Sequence, residues 1–153
     1  MKHFLNRSPM ALILVSLFLV MLGSGCSSFN REWRAAAPIP PAGMEGRWLG
    51  TWRSDVNGHN GKLRCLVRRT EAGQFEARFH AKYKRILSFG YTVGLTVQEE
   101  SGSWKFAGEA DLGWMAGGAY QYEGQASTTN FLSAYRCASD HGLFQMTRPG
   151  PNE

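Results

Sequence analysis

Between Glu45 and Arg148 the chain contains no proline, although it has six elsewhere. A proline cannot donate a ladder hydrogen bond, so this gap suits a sheet that uses nearly every backbone N–H. Charge is also scarce: Asp, Glu, Lys and Arg make up 19% of the chain, below the roughly 25% usual in globular proteins. Apolar residues do not recur at the three- and four-residue spacing of a helix face, which excludes a helix bundle. Catalytic signatures are missing as well. There is no Gly-x-Ser-x-Gly elbow, no His-Glu-x-x-His and no glycine-rich phosphate loop between strand and helix. The acidic residues are scattered singly, except for Glu99 and Glu100, which stand at a strand end and point to opposite faces. The sequence therefore reads as a protein that is not an enzyme and takes no cofactor. What it does have is 12% aromatic and 43% hydrophobic residues, too many for a disordered chain. At 153 residues it has room for one domain.

The two ends of the chain are of different material. Lys2 and Arg7 precede an apolar run, Met10 to Leu22, interrupted only by Ser16 and followed by Gly23, Ser24 and Gly25. That run is shorter than the roughly 20 residues of a membrane-spanning helix. A basic front, a short apolar centre and a small-residue exit read as an export signal over residues 1–25. Lys2 and Arg7 carry two of the five net positive charges, so the exported part keeps only +3. Such a mild charge on an exported chain argues against nucleic-acid binding.

Leu22-Gly23-Ser24-Gly25-Cys26 resembles the lipobox of bacterial lipoproteins. The resemblance implies that Cys26 receives the lipid and becomes the mature N-terminus. Ser27 rather than Asp after it implies delivery to the outer membrane. The implied partners are the membrane, through the anchor, and beyond it an envelope protein, an anionic lipid or a polysaccharide. Residues 26–44 carry Pro38, Pro40 and Pro41 among alanines and read as a partly extended, flexible tether. Trp33, between Arg31 and Arg34, has three readings: it dips into the membrane interface, packs on the domain, or sits in solvent.

Residues 45–148 alternate apolar and polar side chains in eight short runs. They cover residues 47–53, 62–69, 74–84, 91–98, 104–110, 120–126, 131–137 and 143–148. The third is the clearest, with Phe75, Ala77, Phe79, Ala81 and Tyr83 on one face and Glu76, Arg78, His80 and Lys82 on the other. A period of two with one apolar face marks half-buried antiparallel strands. Asn57-Gly58, Asn60-Gly61, Ala72-Gly73, Ser101-Gly102 and Asp140-His141-Gly142 supply turn chemistry between runs. Eight strands joined by short turns form an all-β, up-and-down antiparallel barrel, followed by a tail at 149–153.

Gly46-Arg47-Trp48 resembles the Gly-x-Trp that opens a lipocalin barrel, and Gly50-Thr51-Trp52 the first strand of an avidin. The chain is thus similar to the calycin-type barrels. That resemblance implies that a basic residue late in the last strand, here Arg148, packs across Trp48 to close the barrel.

Several candidate sites follow. With Cys26 assigned to lipid, Cys65 and Cys137 fall on inward faces in an oxidising compartment, and a disulfide between them is expected over two buried thiols. Loops 1–2 and 7–8 meet at one rim, where Asp55, His59, Asp140 and His141 are either ligands or ordinary turn residues. The fifth connection, residues 111–118, places Trp114 and Met115 among glycines, and is expected to fold inward as a plug rather than stand as a lid. Arg64, Arg68, Arg78, Lys82 and His80 share the outer face of strands two and three. They form either a patch for anionic lipid or polysaccharide, or a solvated exterior. Finally, a dozen aromatics point inward. They either fill the barrel, which favours a structural or interaction role, or leave a cavity for a small apolar ligand.

Overall fold

The computed structural model describes residues 28–84, 87–150 and 153. The export signal and Cys26 lie outside the described residues. Eight strands follow in order: β1 Gly46–Ser54, β2 Asn60–Arg69, β3 Phe75–Tyr83, β4 Leu87–Glu100, β5 Ser103–Asp111, β6 Ala119–Ala126, β7 Asn130–Arg136 and β8 His141–Thr147. Each pairs antiparallel with the next, and β8 returns to β1 to close an up-and-down barrel. Each of the eight alternating runs is a strand, within a few residues of its expected limits. The largest difference is β4, which starts at Leu87 rather than Tyr91. Its first turn pairs with β3 through Phe89↔Ala81 and Leu87↔Tyr83. Leu87 and Phe89 stand at the open end, beyond the packed core, and are more than half exposed.

The seam between β1 and β8 runs from Leu49↔Thr147 to Ser54↔Gly142. Gly50 makes part of that seam possible. A Cβ there would sit 1.9 Å from the Gln145 carbonyl oxygen, so the strands approach this closely only without a side chain.

Inside the barrel the alternation delivers a continuous aromatic stack. Phe79 lies 5.3 Å from Tyr91 and 5.4 Å from Phe144, and Phe144 lies 5.0 Å from Tyr135. Nearer the other end, Phe106 and Trp48 flank Phe131 at 4.7 and 5.5 Å. Each such ring pair adds about 0.5–1.5 kcal/mol beyond simple burial.

The stretch read as a flexible tether differs from expectation. Residues 28–35 form a helix, α1, laid on the outer face of the barrel. Phe29 and Trp33, four residues apart and hence on one helix face, are 1% and 6% exposed and pack with Leu66, Leu49 and Ala36. They form a second, smaller apolar cluster outside the barrel. The helix ends ahead of Pro38, which cannot continue it. Trp33 is therefore covered by the barrel wall rather than free to reach a membrane.

Candidate functional site

The pair expected to close the barrel is present. The Arg148 guanidinium carbon lies 3.6 Å from the centre of the Trp48 ring. Its fork donates to four main-chain carbonyls: Gly43 at 2.7 Å, Glu45 at 2.9 Å, Arg47 at 3.3 Å and Thr128 at 3.0 Å. The Trp48 indole N–H donates to the Met44 carbonyl at 2.9 Å. Arg148 is half-buried, and that burial lowers its pKa to about 10. It stays charged at neutral pH. The arrangement ties the entry segment, β1, the β6–β7 turn and the end of β8 into one node.

The opposite end of the same seam carries the expected rim residues. Ser54, 1% exposed, donates its hydroxyl to Asp140 Oδ1 at 2.6 Å, and the Tyr135 hydroxyl donates to Asp140 Oδ2 at 3.2 Å. The Ser54 hydroxyl accepts from the amides of Val56 and Asn57, while the Asp55 amide donates to the His141 carbonyl at 2.9 Å. Loops 1–2 and 7–8 thus meet, but the four side chains do not converge. Asp55 pairs with Arg53 at 3.0 Å, and His59 lies 3.2 Å from the Tyr83 hydroxyl. His141 faces solvent opposite Arg136 in the ladder. Among the described residues no three His, Cys, Asp or Glu side chains gather as a metal-holding group. The rim is a latch made of turn residues.

The expected disulfide is absent: Cys65 and Cys137 are both free thiols. Alternation gave their common face correctly but not their height. Cys65 stands opposite Trp48, six residues along β1 from Ser54, whose partner Gly142 faces Tyr135. Cys137 lies beyond Tyr135 at the mouth. Cys65 is fully buried within the core, whereas Cys137 stands past the end of β7 and is only partly buried. Burial pushes the Cys65 thiol well up. At Cys137 burial acts in the same direction, but hydrogen bonds with Tyr120 and Ser139 outweigh it and hold the thiol below its ordinary value.

The fifth connection does not plug the barrel. A 3₁₀ turn, Trp114–Ala116, carries Trp114 and Met115 outward, 88% and 84% exposed. The loop is shaped by its own backbone. Gly113, Gly117 and Gly118 take positive φ, and the Gly113 amide donates to the Asp111 carboxylate at 2.8 Å. The aromatic stack occupies the interior from wall to wall. Val56, Leu87 and Phe89 are exposed at the same end of the barrel.

The basic outer face of β2 and β3 is where α1 docks. Arg78 pairs with Glu32 and donates to Ser28 Oγ at 2.7 Å, and Arg68 pairs with Glu76 at 3.0 Å and Glu32 at 3.5 Å. Arg64 donates to Asn30 Oδ1 at 2.8 Å and lies over the rings of Phe29 and Trp33 at 5.0 and 5.3 Å. His80, 4% exposed, stacks on Phe29 at 5.0 Å. Burial, then the charges of Arg64 and Lys82, lower its pKa. The expected open patch is thus half covered by the chain's own helix. The signal for this was the Phe29/Trp33 spacing with Glu32 between them, set beside three arginines on neighbouring strands.

Two grooves of about 580 and 610 Å³ lie on the outer face of β4 to β8, sharing Thr96, Ala107, Glu123, Ala134 and Leu143. A third, of about 460 Å³, lies between α1 and the basic strands. Comparison with family models, curated proteins and solved structures returns no match. The fold alone defines the class: a closed, eight-stranded, up-and-down barrel, consistent with a lipocalin-like architecture.

Proposed function

We propose that this is an envelope lipoprotein, anchored by lipid on Cys26, whose working parts lie on the outside of a filled barrel. The observation that carries the reading is the disposition of apolar side chains. The interior is occupied by stacked aromatics, while Val56 on the β1–β2 loop, Leu87 and Phe89 at the start of β4, and Trp114 and Met115 on the β5–β6 loop stand exposed at one end. Exposed apolar groups gathered on one surface of a small domain mark an interaction site. The helix α1 supports the anchor. Ser28, its first described residue, is two residues beyond Cys26 in sequence, and the helix is held on the barrel wall by buried contacts, which keeps the proposed attachment point close to the domain. The Trp48–Arg148 node supports kinship with the lipocalin-like barrels, and the aromatic packing inside argues against a carrier of apolar ligands. The role is structural or interactive, in or on the outer membrane, and not enzymatic.

Fractionation of cells producing the full chain tests this. The protein is expected in the membrane fraction and resistant to a high-salt wash, with Cys26→Ser released into the soluble fraction. Equal retention of both forms would contradict an anchor at Cys26.

A further inference from the structure

The groove between α1 and the basic strands goes beyond an anchored interaction module and does not depend on the anchor. Two consecutive outward pairs on β2 and β3 are built from basic residue types, but only the second sets one ammonium against another, since Arg64 Nη2 lies 3.4 Å from His80 Nδ1 and burial and the neighbouring cations lower the imidazole pKa. Arg64 faces His80 in the ladder, and at the next outward step Lys62 stands beside Lys82. Like charges directly opposite one another on adjacent strands destabilise a sheet. Elsewhere on this face the cost is offset, since Arg68 and Arg78 have Glu76 and Glu32. For Lys62 and Lys82, at the groove, it is not. Neither Lys62 nor Lys82 makes an ion pair with any described residue. The one carboxylate among the described lining residues is Glu153, and its Oε2 accepts the Gly150 amide at 2.9 Å.

The other walls are of a different kind. Asn30 and Ser88 supply polar groups, and Trp33 and Leu49 supply apolar surface. A space of about 460 Å³ exceeds what a bare oxyanion fills. We infer that this groove binds a phosphate ester: the phosphate among Lys62, Lys82 and the Arg64–His80 pair, the organic body against Trp33 and Leu49. Lysine and arginine are the usual partners of a phosphate group, Lys as a point charge and Arg as a planar fork. A phosphate ester of this size is met either as an anionic lipid headgroup or as a free small molecule, and the recognition chemistry is the same.

Calorimetric titration of the full chain in neutral detergent micelles, with glycerol phosphate and then with inorganic phosphate, reads the site. Saturable heat is expected, stronger for the ester, and Lys62→Gln/Lys82→Gln is expected to weaken it roughly tenfold or more. Lys105→Gln, on the outer face of β5 beside another groove, serves as a control expected to match the wild type. Phosphatidylglycerol in the micelles will suppress the titration if the natural source is a headgroup. It will leave it intact if the source is a soluble ester, and either result supports the site. Absence of saturable heat with both probes, or equal affinity in the double variant, would overturn it. Unchanged denaturation of the double variant shows that a loss of binding is not a loss of fold.

Discussion

The Arg148 guanidinium lies over the Trp48 indole, its central carbon 3.6 Å from the ring centre, and holds four main-chain carbonyls drawn from three separate parts of the chain. At the other end of the β1–β8 seam, Ser54 and Tyr135 share the Asp140 carboxylate. One strand pair closes the barrel, and it is fastened at both ends.

Replacing Arg148 therefore strips hydrogen bonds from several half-buried carbonyls and uncovers Trp48. Arg148→Ala is expected to cost about 2–4 kcal/mol in urea denaturation. Arg148→Lys should recover only part of this, because an ammonium keeps the charge but not the planar fork. A full rescue by lysine would show that charge alone matters there.

The helix α1 is held mainly by Phe29 and Trp33. Phe29→Ala is expected to destabilise by about 3 kcal/mol, and to bring hydrogen exchange at the amides of residues 28–35 close to that of an open chain. Protection unchanged in that helix would mean that the ion pairs of Glu32, rather than the rings, hold it.

His80 links this contact to pH. Its folded pKa lies below the ordinary 6.5, chiefly through burial and then through Arg64 and Lys82. The unfolded chain therefore takes up a proton that the folded one refuses, and stability falls as pH drops below about 6.5 towards the folded pKa. The denaturation midpoint should decline between pH 7.5 and 5.5, and His80→Gln should flatten that decline. NMR titration of the imidazole reads the pKa directly; a value at or above 6.5 would refute the sign.

The cysteines separate by position. In unreduced protein both Cys65 and Cys137 should alkylate once the chain is unfolded, while Cys137 alone reacts in the folded state. A mass two protons lower, with no alkylation before reduction, would restore the disulfide.

The barrel was legible because a period of two is hard to mistake when one face is packed with Phe, Tyr and Trp, and turn residues mark the breaks. Arg148 could be placed because the last run ends beside the first in any closed meander. Three features escaped for separate reasons. The tether looked extended because Pro38, Pro40 and Pro41 outweighed a single helical spacing, Phe29 to Trp33, whose meaning depends on the arginines it meets on β2 and β3. Cys65 and Cys137 share a face, but alternation carries no information about height along a barrel. Trp114 and Met115 looked like core residues by type; what excludes them is that other aromatics already occupy the space, which only the packed structure reveals. The groove borders a patch visible in the sequence, which included Lys82 but not Lys62, and what distinguishes it is that neither lysine is paired by the helix.

We propose that lipid on Cys26 holds this barrel at the envelope. Mass spectrometry of the N-terminal peptide of the native protein tests it most directly. A chain beginning at Cys26 and carrying acyl groups is expected. A mature chain that retains Met1, or one that begins elsewhere with Cys26 unmodified, would contradict it.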